Sequence, residues 1–450
     1  MGWHRLSILL AKIWPLIALA MGAAISFWAV RRRTKHHAKA SVAYRDAVQN
    51  DMIEPATLHP EIDPARCAGC GACVRACPEG EILQMIDHKA VLITPTACVG
   101  HGECEMACPF AAISLVFGTK QRGKELPRIS TNYETNVGGL YIAGELGGMG
   151  LIRNAIKQGR LAVDHASKHT SNRGQADVDI LIVGAGSAGL SAALAAIQAK
   201  RSYLLIEQDS VGGTIANFPR QKIVMTQPAE VPLVGTMKFP RHKVSKETLL
   251  AYWAEVRKRT GMKVREDCRF LTLKKAEDGI FQVETSSGAI RARKVVLCMG
   301  VRGTPRKLNL PNEDLAKVTY NLIEPEQYQG MHVAVVGGGN AAVEAAQNLC
   351  RPQYRNRVTL LVRGARLDRC NQENQEIIKN MERQGLVKIA FNTTVAEIHQ
   401  THLVVEHQKQ RSPLQNDFLF IFAGAELPFK FLQSLGIQTE KKFGEPMRRI

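Results

Sequence analysis

Two stretches of the chain share one order of apolar, glycine-rich and helical segments. Residues 178–183 (VDILIV) form a strand-length apolar run, which leads into a glycine-rich turn and then into LSAALAAIQAK, a segment of helical composition. Residues 332–336 (HVAVV) begin a second copy of the same order. Apolar runs of this length bounded by glycine are typical of strands buried in a parallel sheet. The pattern therefore predicts an α/β chain in which two domains are each built on such a sheet.

The first glycine turn has the spacing of a dinucleotide-binding loop. Its residues include Gly184, Gly186, Ser187 and Gly189. Glycine at these positions lets backbone N–H groups reach a pyrophosphate at the N-terminus of the helix. The next apolar strand ends at Glu207, about twenty residues further on, where an acid binds a ribose hydroxyl. This register predicts a Rossmann-like domain that binds a dinucleotide.

The second glycine turn repeats the frame with one change, because alanine replaces the last glycine. Its residues include Gly337, Gly339, Asn340 and Ala342. The next strand leads to Arg363 and Arg366, where the first copy has Glu207. An arginine there can accept a 2′-phosphate, which favours NADPH over NADH. The alternative is that both arginines are solvated surface charges.

Seven of the eleven cysteines fall between Cys67 and Cys108. Residues 67–78 read CAGCGACVRACP, the C-x2-C-x2-C-x3-C-P run of bacterial ferredoxins. Its cysteines are Cys67, Cys70, Cys73 and Cys77. A zinc site is disfavoured, because zinc needs only four ligands at looser spacing.

The second cysteine run, CVGHGECEMACP at 98–109, has the same frame with His101 at the second ligand position. In two-cluster ferredoxins the fourth cysteine of each run serves the other cluster. The resemblance therefore implies one [4Fe–4S] cluster on Cys67, Cys70, Cys73 and Cys108, and a second cluster on Cys77, Cys98 and Cys104. Three roles stay open for His101: it ligates the fourth iron, it stands beside a [3Fe–4S] cluster that lacks that iron, or it only forms hydrogen bonds.

An uncharged run precedes the cysteines. Residues 13–30 contain no charged side chain, approach the length that crosses a bilayer as a helix, and are followed by the basic segment RRRTKHH. A cleaved signal peptide is disfavoured, because the positive charges follow the run and no A-x-A site closes it. We expect a transmembrane helix within residues 6–30, a basic linker at 31–58, and single-pass insertion in the cell inner membrane. The positive-inside rule then leaves the remaining domains in the cytoplasm.

From Asp177 onward the chain resembles the thioredoxin-reductase-like flavoproteins. The segments GGTIANFP (212–219, with Asn217), 295–314 and 418–437 carry the resemblance, which implies FAD at the first glycine turn and a nicotinamide nucleotide at the second. That group closes its FAD domain with a segment similar to TNVGGLYIAGE, which here lies at 135–145 and includes Gly144 and Glu145. The resemblance therefore implies a circularly permuted FAD domain.

The redox dithiol of thioredoxin reductases is missing from its usual place. Alignment on the second glycine turn puts Asn321 and Glu324 where the two cysteines would be. Bacillithiol-disulfide-reductase-like relatives keep a cysteine in the first glycine turn, where this chain has Ser187. We expect Cys298 to be a buried strand residue, because free cysteine packs in the same way as a small hydrophobic side chain.

The predicted architecture is α/β, with two Rossmann-like domains, a small α+β ferredoxin-like domain and an N-terminal transmembrane helix. The expected domains are 59–118 (iron–sulfur), 119–175 (permuted FAD piece), 176–318 (FAD), 319–412 (NAD(P)H) and 413–450 (return to the FAD domain). These features predict an NAD(P)H-dependent FAD oxidoreductase that passes electrons between NADPH, FAD and iron–sulfur clusters to an unknown acceptor. The alternatives are a disulfide or thiol reductase that works through a lone cysteine, and a non-enzymatic redox-sensing subunit of a membrane complex.

The net charge of +18 is compatible with several classes of binding partner. A basic protein can bind nucleic acid, anionic lipid or an acidic partner, and no nucleic-acid-binding motif occurs. We expect a membrane and an electron acceptor that is an acidic carrier protein, a cytochrome or a quinone. The family resemblance also implies a homodimer.

Overall fold

The computed structural model divides the chain into two compact units. One contains residues 1–55 and 59–115, and the other contains residues 56–58 and 116–450. The structure describes residues 19, 21–24, 26–28, 31, 34, 37–45, 47–48, 55, 58–80, 82–95, 98–119, 123–148, 150–170, 174–225, 227–240, 243–301, 304–367, 369–426 and 428–446. The predicted domain boundaries stay a prediction.

The prediction of a transmembrane helix needs correction. No helix among the described residues is long and apolar enough to cross a bilayer. The transmembrane part of the predicted fold class, and the inner-membrane localisation derived from it, are therefore not supported. Hydropathy alone identifies an uncharged run but does not establish a helix of spanning length. Most of residues 13–30 lie outside the described residues.

The cysteine-rich unit is built from short strands and two single-turn helices. Its strands are His59–Ile62, Leu83–Ile86 and Lys89–Leu92, and its helices are Ala72–Ala76 and Glu103–Met106. The last two strands pair antiparallel through Asp87 and His88, which both have positive φ, as a tight hairpin turn requires. Each helix follows a glycine in the left-handed region, Gly71 or Gly102. The core of this unit includes Cys73 and other small or apolar side chains.

The larger unit contains a seven-stranded sheet. Its strands, in spatial order, are Val264–Arg265, Tyr203–Ile206, Val178–Val183, Gly288–Leu297, Phe281–Thr285 and Phe270–Lys275, with Leu140–Ile142 beside Gly288–Leu297. The first four run parallel and the next two return antiparallel. Successive residues of Val178–Val183 enter two different hydrophobic clusters, so both faces of the sheet are covered. The covering helices include Ile152–Lys168, Ser187–Gln198 and Lys246–Thr260.

A five-stranded parallel sheet forms the second half of this unit. Its strands, in spatial order, are Val318–Thr319, Phe418–Ile421, His332–Val336, Arg357–Leu361 and Val387–Ala390. Helices Asn340–Leu349 and Gln372–Arg383 accompany it, and the antiparallel strands Thr393–Ile398, His402–His407 and Gln410–Gln415 follow. Helix Phe429–Ser434 returns to the core of the first sheet, because Leu432 packs there.

Short strand pairs complete the larger unit. They are Lys124–Pro127 with Thr439–Lys442, Ile223–Met225 with Lys243–Ser245, Ala229–Val231 with Gly235–Met237, and Thr304–Pro305 with Ala425–Glu426. Val116 and Phe117, the last residues of strand Ile113–Phe117, pair antiparallel with Glu445–Pro446. The single-turn 3₁₀ helices are Glu145–Gly147, Gly213–Ile215, Pro325–Gln327 and Pro352–Tyr354.

The segment before the first glycine turn belongs to the seven-stranded sheet. Strand Leu140–Ile142 pairs in parallel with Val295–Leu297. Helix Ile152–Lys168 packs closely on Ser187–Gln198, since a Cβ at Gly159 would lie 2.0 Å from a backbone oxygen of that second helix. The structure thus builds this piece into the first sheet domain, and its interpretation as a circular permutation stays a prediction.

Candidate functional site

Three thiols of the cysteine-rich unit influence one another electrostatically. Burial raises the pKa of Cys73, and the charges of Cys67 and Cys108 raise it further. Such charge effects require short distances, so the structure brings Cys108 of the second run to the cysteines of the first run. Cys70 lies exposed in the same run. Cys67, Cys73 and Cys108 are three of the four ligands that the ferredoxin frame implies for one cluster.

The remaining three thiols of the two runs form a second group. Burial raises the pKa of Cys104 to about 12, and the charges of Cys98 and Cys77 act in the same direction. Burial also raises the pKa of Cys98 to about 11, with Cys77 and Glu79 adding to the effect. Without a metal, the protein environment therefore keeps these cysteines protonated. Bound iron would stabilise the thiolate form that ligation needs. The donor set suits a cluster on chemical grounds.

His101 lies beside the second group of thiols. Its side chain is 9% exposed, and its Nε2 is 3.6 Å from Oε1 of Glu79. A small cavity of about 20 Å³ is lined by His101 together with Cys77, Cys98 and Cys104. The histidine therefore borders the same space as the three thiols, and its three roles stay open. Among the described residues no three side chains converge on a single metal ion; a cluster spreads its ligands over several irons.

The first glycine turn has the shape of an anion cradle. Gly184 has φ 101°, and a Cβ there would lie 2.6 Å from the carbonyl oxygen of Cys298. A Cβ at Gly189 would lie 1.8 Å from the Gly184 oxygen, whereas a Cβ at Gly186 would meet nothing within 4 Å. Ser187 begins helix Ser187–Gln198, and its buried Oγ has no hydrogen-bond partner among the described residues. Open space, an unused hydroxyl and a helix N-terminus suit the pyrophosphate of FAD.

Glu207 is buried at the end of the next strand. Its Oε2 accepts a hydrogen bond from the Ala185 N–H at 2.7 Å, and its Oε1 accepts one from the Asp209 N–H at 3.2 Å. Each carboxylate oxygen retains a second acceptor position, which a ribose hydroxyl can use. Gly213 approaches the first glycine turn, but Asn217 in the same segment is exposed.

The segment with Gly144 and Glu145 also reaches the first glycine turn. Gly144 has φ 86°, and its N–H donates to Oε1 of Gln158 at 2.7 Å. A Cβ at Gly144 would lie 3.1 Å from the Cβ of Ala188. Burial lowers the pKa of Lys124, and the half-buried carboxylate of Glu145 counteracts that effect. The structure thus brings Gly144 to the first turn of the helix that would face FAD, whereas the side chain of Glu145 lies beside Lys124 and Gly150.

The second glycine turn is packed as tightly as the first. Gly337 has φ 140°, and a Cβ there would lie 2.6 Å from the carbonyl oxygen of Phe422. The same added Cβ at Gly337 would lie only 2.8 Å from the Cβ of Ala342. Asn340 begins helix Asn340–Leu349, and its Oδ1 accepts a hydrogen bond from the Asn371 N–H at 2.8 Å. This turn offers the backbone approach that a nucleotide phosphate needs.

Exposed arginines follow the strand next to the second glycine turn. Arg363 and Arg366 are exposed, and so is Arg369, which the sequence interpretation missed. Arg369 forms a β-bridge with Gly339, so its backbone lies directly beside the glycine turn. No described carboxylate lies within salt-bridge distance of these three side chains. The regular spacing of arginines in RGARLDR was the signal that could have identified the third.

Residues 181–448 match the pyridine nucleotide-disulphide oxidoreductase family. The chain belongs to this family. Residues 59–109 match the 4Fe-4S dicluster domain. The recognition of a thioredoxin-reductase-like flavoprotein joined to a two-cluster ferredoxin-like domain is therefore confirmed, apart from the circular permutation. The protein is an FAD-dependent NAD(P)H oxidoreductase that also carries a 4Fe-4S dicluster domain.

Three similar proteins, two compared by sequence and one by structure, are also reductases. A bacilliredoxin reductase of Bacillus subtilis is 28% identical over 276 residues, which cover 59% of this chain and 82% of the relative. A ferredoxin–NADP reductase of Ignicoccus hospitalis is 30% identical over 271 residues, which cover 59% of this chain and 83% of the relative. The solved bacillithiol disulfide reductase of Staphylococcus aureus has a TM-score of 0.53 at 26% identity, covering 58% of this chain and 80% of its own.

The four lone cysteines of this family member are all buried: Cys268, Cys298, Cys350 and Cys370. Burial raises the pKa of Cys298 to about 12 and that of Cys350 to about 11. Burial also raises the pKa of Cys370 to about 12. A nucleophilic cysteine needs a lowered pKa and access to its substrate. None of the three therefore has the environment of an activated thiol.

Proposed function

We propose that this enzyme takes a hydride from NADPH onto FAD and passes the electrons singly through its iron–sulfur clusters to an acceptor. The observation that carries this proposal is that six of the seven clustered thiols lie in two groups of three, within a chain that also has two glycine turns. FAD, when bound, accepts two electrons with the hydride and can return them one at a time. Iron–sulfur clusters carry single electrons, so the two cofactor types are complementary.

The residues of the first turn have binding and orienting roles in this proposal. Ser187 Oγ and the helix N-terminus hold the pyrophosphate of FAD, and Glu207 accepts a hydrogen bond from its ribose. Glu145 follows Gly144, which faces Ala188 in the first turn of that helix, and would bond the ribityl chain. Gly144 keeps the backbone close enough for that contact.

We propose NADPH as the preferred nucleotide at the second turn. The exposed Arg363 and Arg366, joined by Arg369 beside Gly339, provide guanidinium groups for a 2′-phosphate. Arginine binds phosphate with paired hydrogen bonds, and no described acid competes for these three side chains. NADH lacks that phosphate and would gain nothing from them.

The first cluster in this proposal is [4Fe–4S], with four cysteine ligands from the two runs: Cys67, Cys70, Cys73 and Cys108. The second cluster is bound by Cys77, Cys98 and Cys104 and is either [4Fe–4S], completed by His101, or [3Fe–4S]. The cavity shared by His101 and the three thiols supports a histidine that lies next to the cluster in both cases.

An anaerobic titration with NADPH tests the relay. Flavin absorbance and cluster EPR signals are followed on the same reconstituted, full-length protein. We expect the flavin to bleach and reduced-cluster signals to grow in step. A flavin that bleaches fully while both clusters stay oxidised would refute a forward relay. The oxidised spectrum in the same experiment distinguishes [3Fe–4S], which is EPR-active when oxidised, from [4Fe–4S].

The surroundings of the second cysteine run inform the choice of acceptor. Residues 98–119 include Glu103 and Glu105 but no lysine or arginine. Val99, Met106 and Phe110 in the same stretch are 38%, 68% and 48% exposed. Exposed apolar side chains with acidic neighbours suit a partner that has a basic rim. We therefore favour a one-electron carrier of that charge, such as a cytochrome, over an acidic carrier or a quinone, although the chain as a whole is basic.

Disulfide reduction is the second candidate, because two of the similar proteins are named as bacilliredoxin or bacillithiol disulfide reductases. Its difficulty in this chain is the burial of every lone cysteine. Replacing all four lone cysteines by serine separates the candidates. Disulfide-dependent NADPH oxidation that disappears in this variant would favour a thiol reductase, whereas undiminished NADPH oxidation with an artificial one-electron acceptor favours the relay.

A further inference from the structure

The larger unit consists of two lobes that each carry one glycine turn. The first lobe is built on the seven-stranded sheet, and the second lobe is built on the five-stranded sheet. Leu322 packs in the core of the second lobe, so Ile323 and Glu324 beside it belong to that lobe. Hydride transfer between nucleotides held on different lobes requires a defined orientation of one lobe against the other.

A tight turn of the first lobe, Pro219–Lys222, points toward the second lobe. Gln221 has φ 58°, and its N–H donates to Oε1 of Glu247 at 3.0 Å. The carbonyl oxygen of Lys222 accepts a hydrogen bond from the Lys246 N–H at 2.9 Å. Both partners lie at the start of helix Lys246–Thr260, so the turn is fixed to its own lobe at two points.

The same turn contacts the second lobe in three ways. The Arg220 N–H donates to the carbonyl oxygen of Ile323 at 3.0 Å. The Arg220 guanidinium donates to Oε1 of Glu324 from Nη2 at 2.7 Å and from Nε at 3.1 Å. The Lys222 ammonium pairs with Glu344, and these two side chains are only 30% and 27% exposed. Two cationic side chains of one turn in the first lobe thus form ion pairs with two carboxylates of the second lobe.

Hydrogen bonds continue from Glu344 to the second glycine turn. Oε1 of Glu344 accepts from Nδ2 of Asn374 at 3.1 Å, and the same Nδ2 lies 3.3 Å from Oδ1 of Asn340. Asn340 directly follows Gly339 at the start of the nucleotide-binding helix. The contact between the lobes and the predicted nucleotide site therefore share one side-chain network.

We propose that Lys222 and Glu344, with Arg220 and Glu324 beside them, are positioning residues that hold the second lobe in the orientation used for hydride transfer. Through Asn374 and Asn340 the ion pair also orders the second glycine turn. Nucleotide binding and lobe alignment then support each other, because linkage between two sites is reciprocal. The inference rests on the proposed binding of the nucleotide at the second glycine turn but not on the relay to the clusters.

Stopped-flow reduction of the FAD-loaded, full-length protein by NADPH tests the inference through the loss of flavin absorbance. Lys222→Met is expected to slow flavin reduction about tenfold and to weaken NADPH binding, within the range of ordinary coupling between sites. Lys222→Arg keeps the charge and should retain most of the rate. The exchanged pair Lys222→Glu with Glu344→Lys should recover a large part of the loss. Arg411→Met, which removes two ion pairs internal to the second lobe, is the matched control.

The readout separates positioning from simple stability and from the relay. FAD content and melting temperature are measured for every variant, and Glu344→Gln replaces Lys222→Met if the latter loses FAD. A rate that is unchanged, or faster, in both Lys222→Met and Glu344→Gln overturns the proposal, as does an equal loss in Arg411→Met. Slow flavin reduction that the exchanged pair restores supports it. Absence of cluster reduction would instead count against the proposed relay, because flavin reduction is observed separately.

Discussion

One carboxylate oxygen of Glu324 accepts two hydrogen bonds from the guanidinium of Arg220. Hydrogen bonding to Arg220 lowers the pKa of Glu324, so the carboxylate stays ionised. The family resemblance places a redox cysteine of thioredoxin reductases at this position. An ion pair cannot exchange electrons, and here it connects the two lobes instead. Where the resemblance implies a redox dithiol, this chain therefore has a structural contact, which supports the proposed exit of electrons through the iron–sulfur clusters.

Removal of the Ser187 hydroxyl should weaken FAD binding. Its buried Oγ has no described partner and lies at the start of the helix that would face the pyrophosphate. A hydrogen bond to a charged group contributes about 1.5–3 kcal/mol, so Ser187→Ala should raise the dissociation constant of FAD about tenfold or more. Fluorescence quenching on the apoprotein measures it. Ser434→Ala removes an exposed hydroxyl bonded to its own helix and is the control. Equal FAD affinity in both variants would contradict this role.

The three exposed arginines should determine the choice between nucleotides. Exchanging Arg363, Arg366 and Arg369 together for glutamine removes the charges available to a 2′-phosphate. We expect kcat/KM for NADPH to fall at least about tenfold, because charge-assisted hydrogen bonds are lost, while the value for NADH changes about twofold or less. Steady-state assays with an artificial acceptor measure both. Arg411→Gln controls for the lost surface charge, and a parallel fall for both nucleotides would assign the arginines another role.

Local patterns predicted the glycine turns and the cysteine groups because each motif carries its chemistry within a short stretch. Gly189 is one example, since its position near the Gly184 oxygen follows from the spacing of the turn itself. The contact of Lys222 with Glu344 could not be predicted in this way, because it joins residues 122 positions apart. The role of Gly159 could not be predicted from the sequence either, because glycine lowers the predicted stability of a helix. Only the structure shows that a second helix passes too close to position 159 for a larger side chain.

The predicted transmembrane helix was wrong because the prediction also depended on a local pattern alone. An uncharged run of suitable length is a statement about composition, and spanning a bilayer also requires a continuous helix. The described residues contain no such helix. The expected homodimer depended on resemblance alone and stays a prediction.

Substitution of His101 by cysteine should complete the second ferredoxin frame. His101 borders the cavity that Cys77, Cys98 and Cys104 also line. A thiolate adds a negative charge next to the cluster, so the reduction potential of that cluster should fall in His101→Cys. EPR-monitored redox titration measures the potential and shows whether an oxidised [3Fe–4S] signal is converted to [4Fe–4S]. His101→Ala is the companion variant. An unchanged spectrum and potential in both variants would show that His101 does not influence the cluster.

Cys298 should stay protonated and unreactive throughout the working pH range. Burial raises its pKa to about 12, so the native thiolate is populated only near that pH. An unfolded chain titrates this thiol near its ordinary pKa of about 8.5, so stability from the buried thiol is complete below that pH and is lost as pH rises toward 12.

Alkylation of the native protein, mapped by mass spectrometry, tests this prediction. Between pH 7 and 9 we expect no modification of Cys298 unless the chain is first unfolded, and undiminished NADPH oxidation after the treatment. Cys298→Ala should retain the same activity, because the buried side chain of Cys298 packs in the hydrophobic core of the first lobe. Rapid modification of native Cys298 near neutral pH, with parallel loss of activity, would instead revive the thiol reductase candidate, since an accessible thiolate next to the FAD turn could exchange electrons with a disulfide.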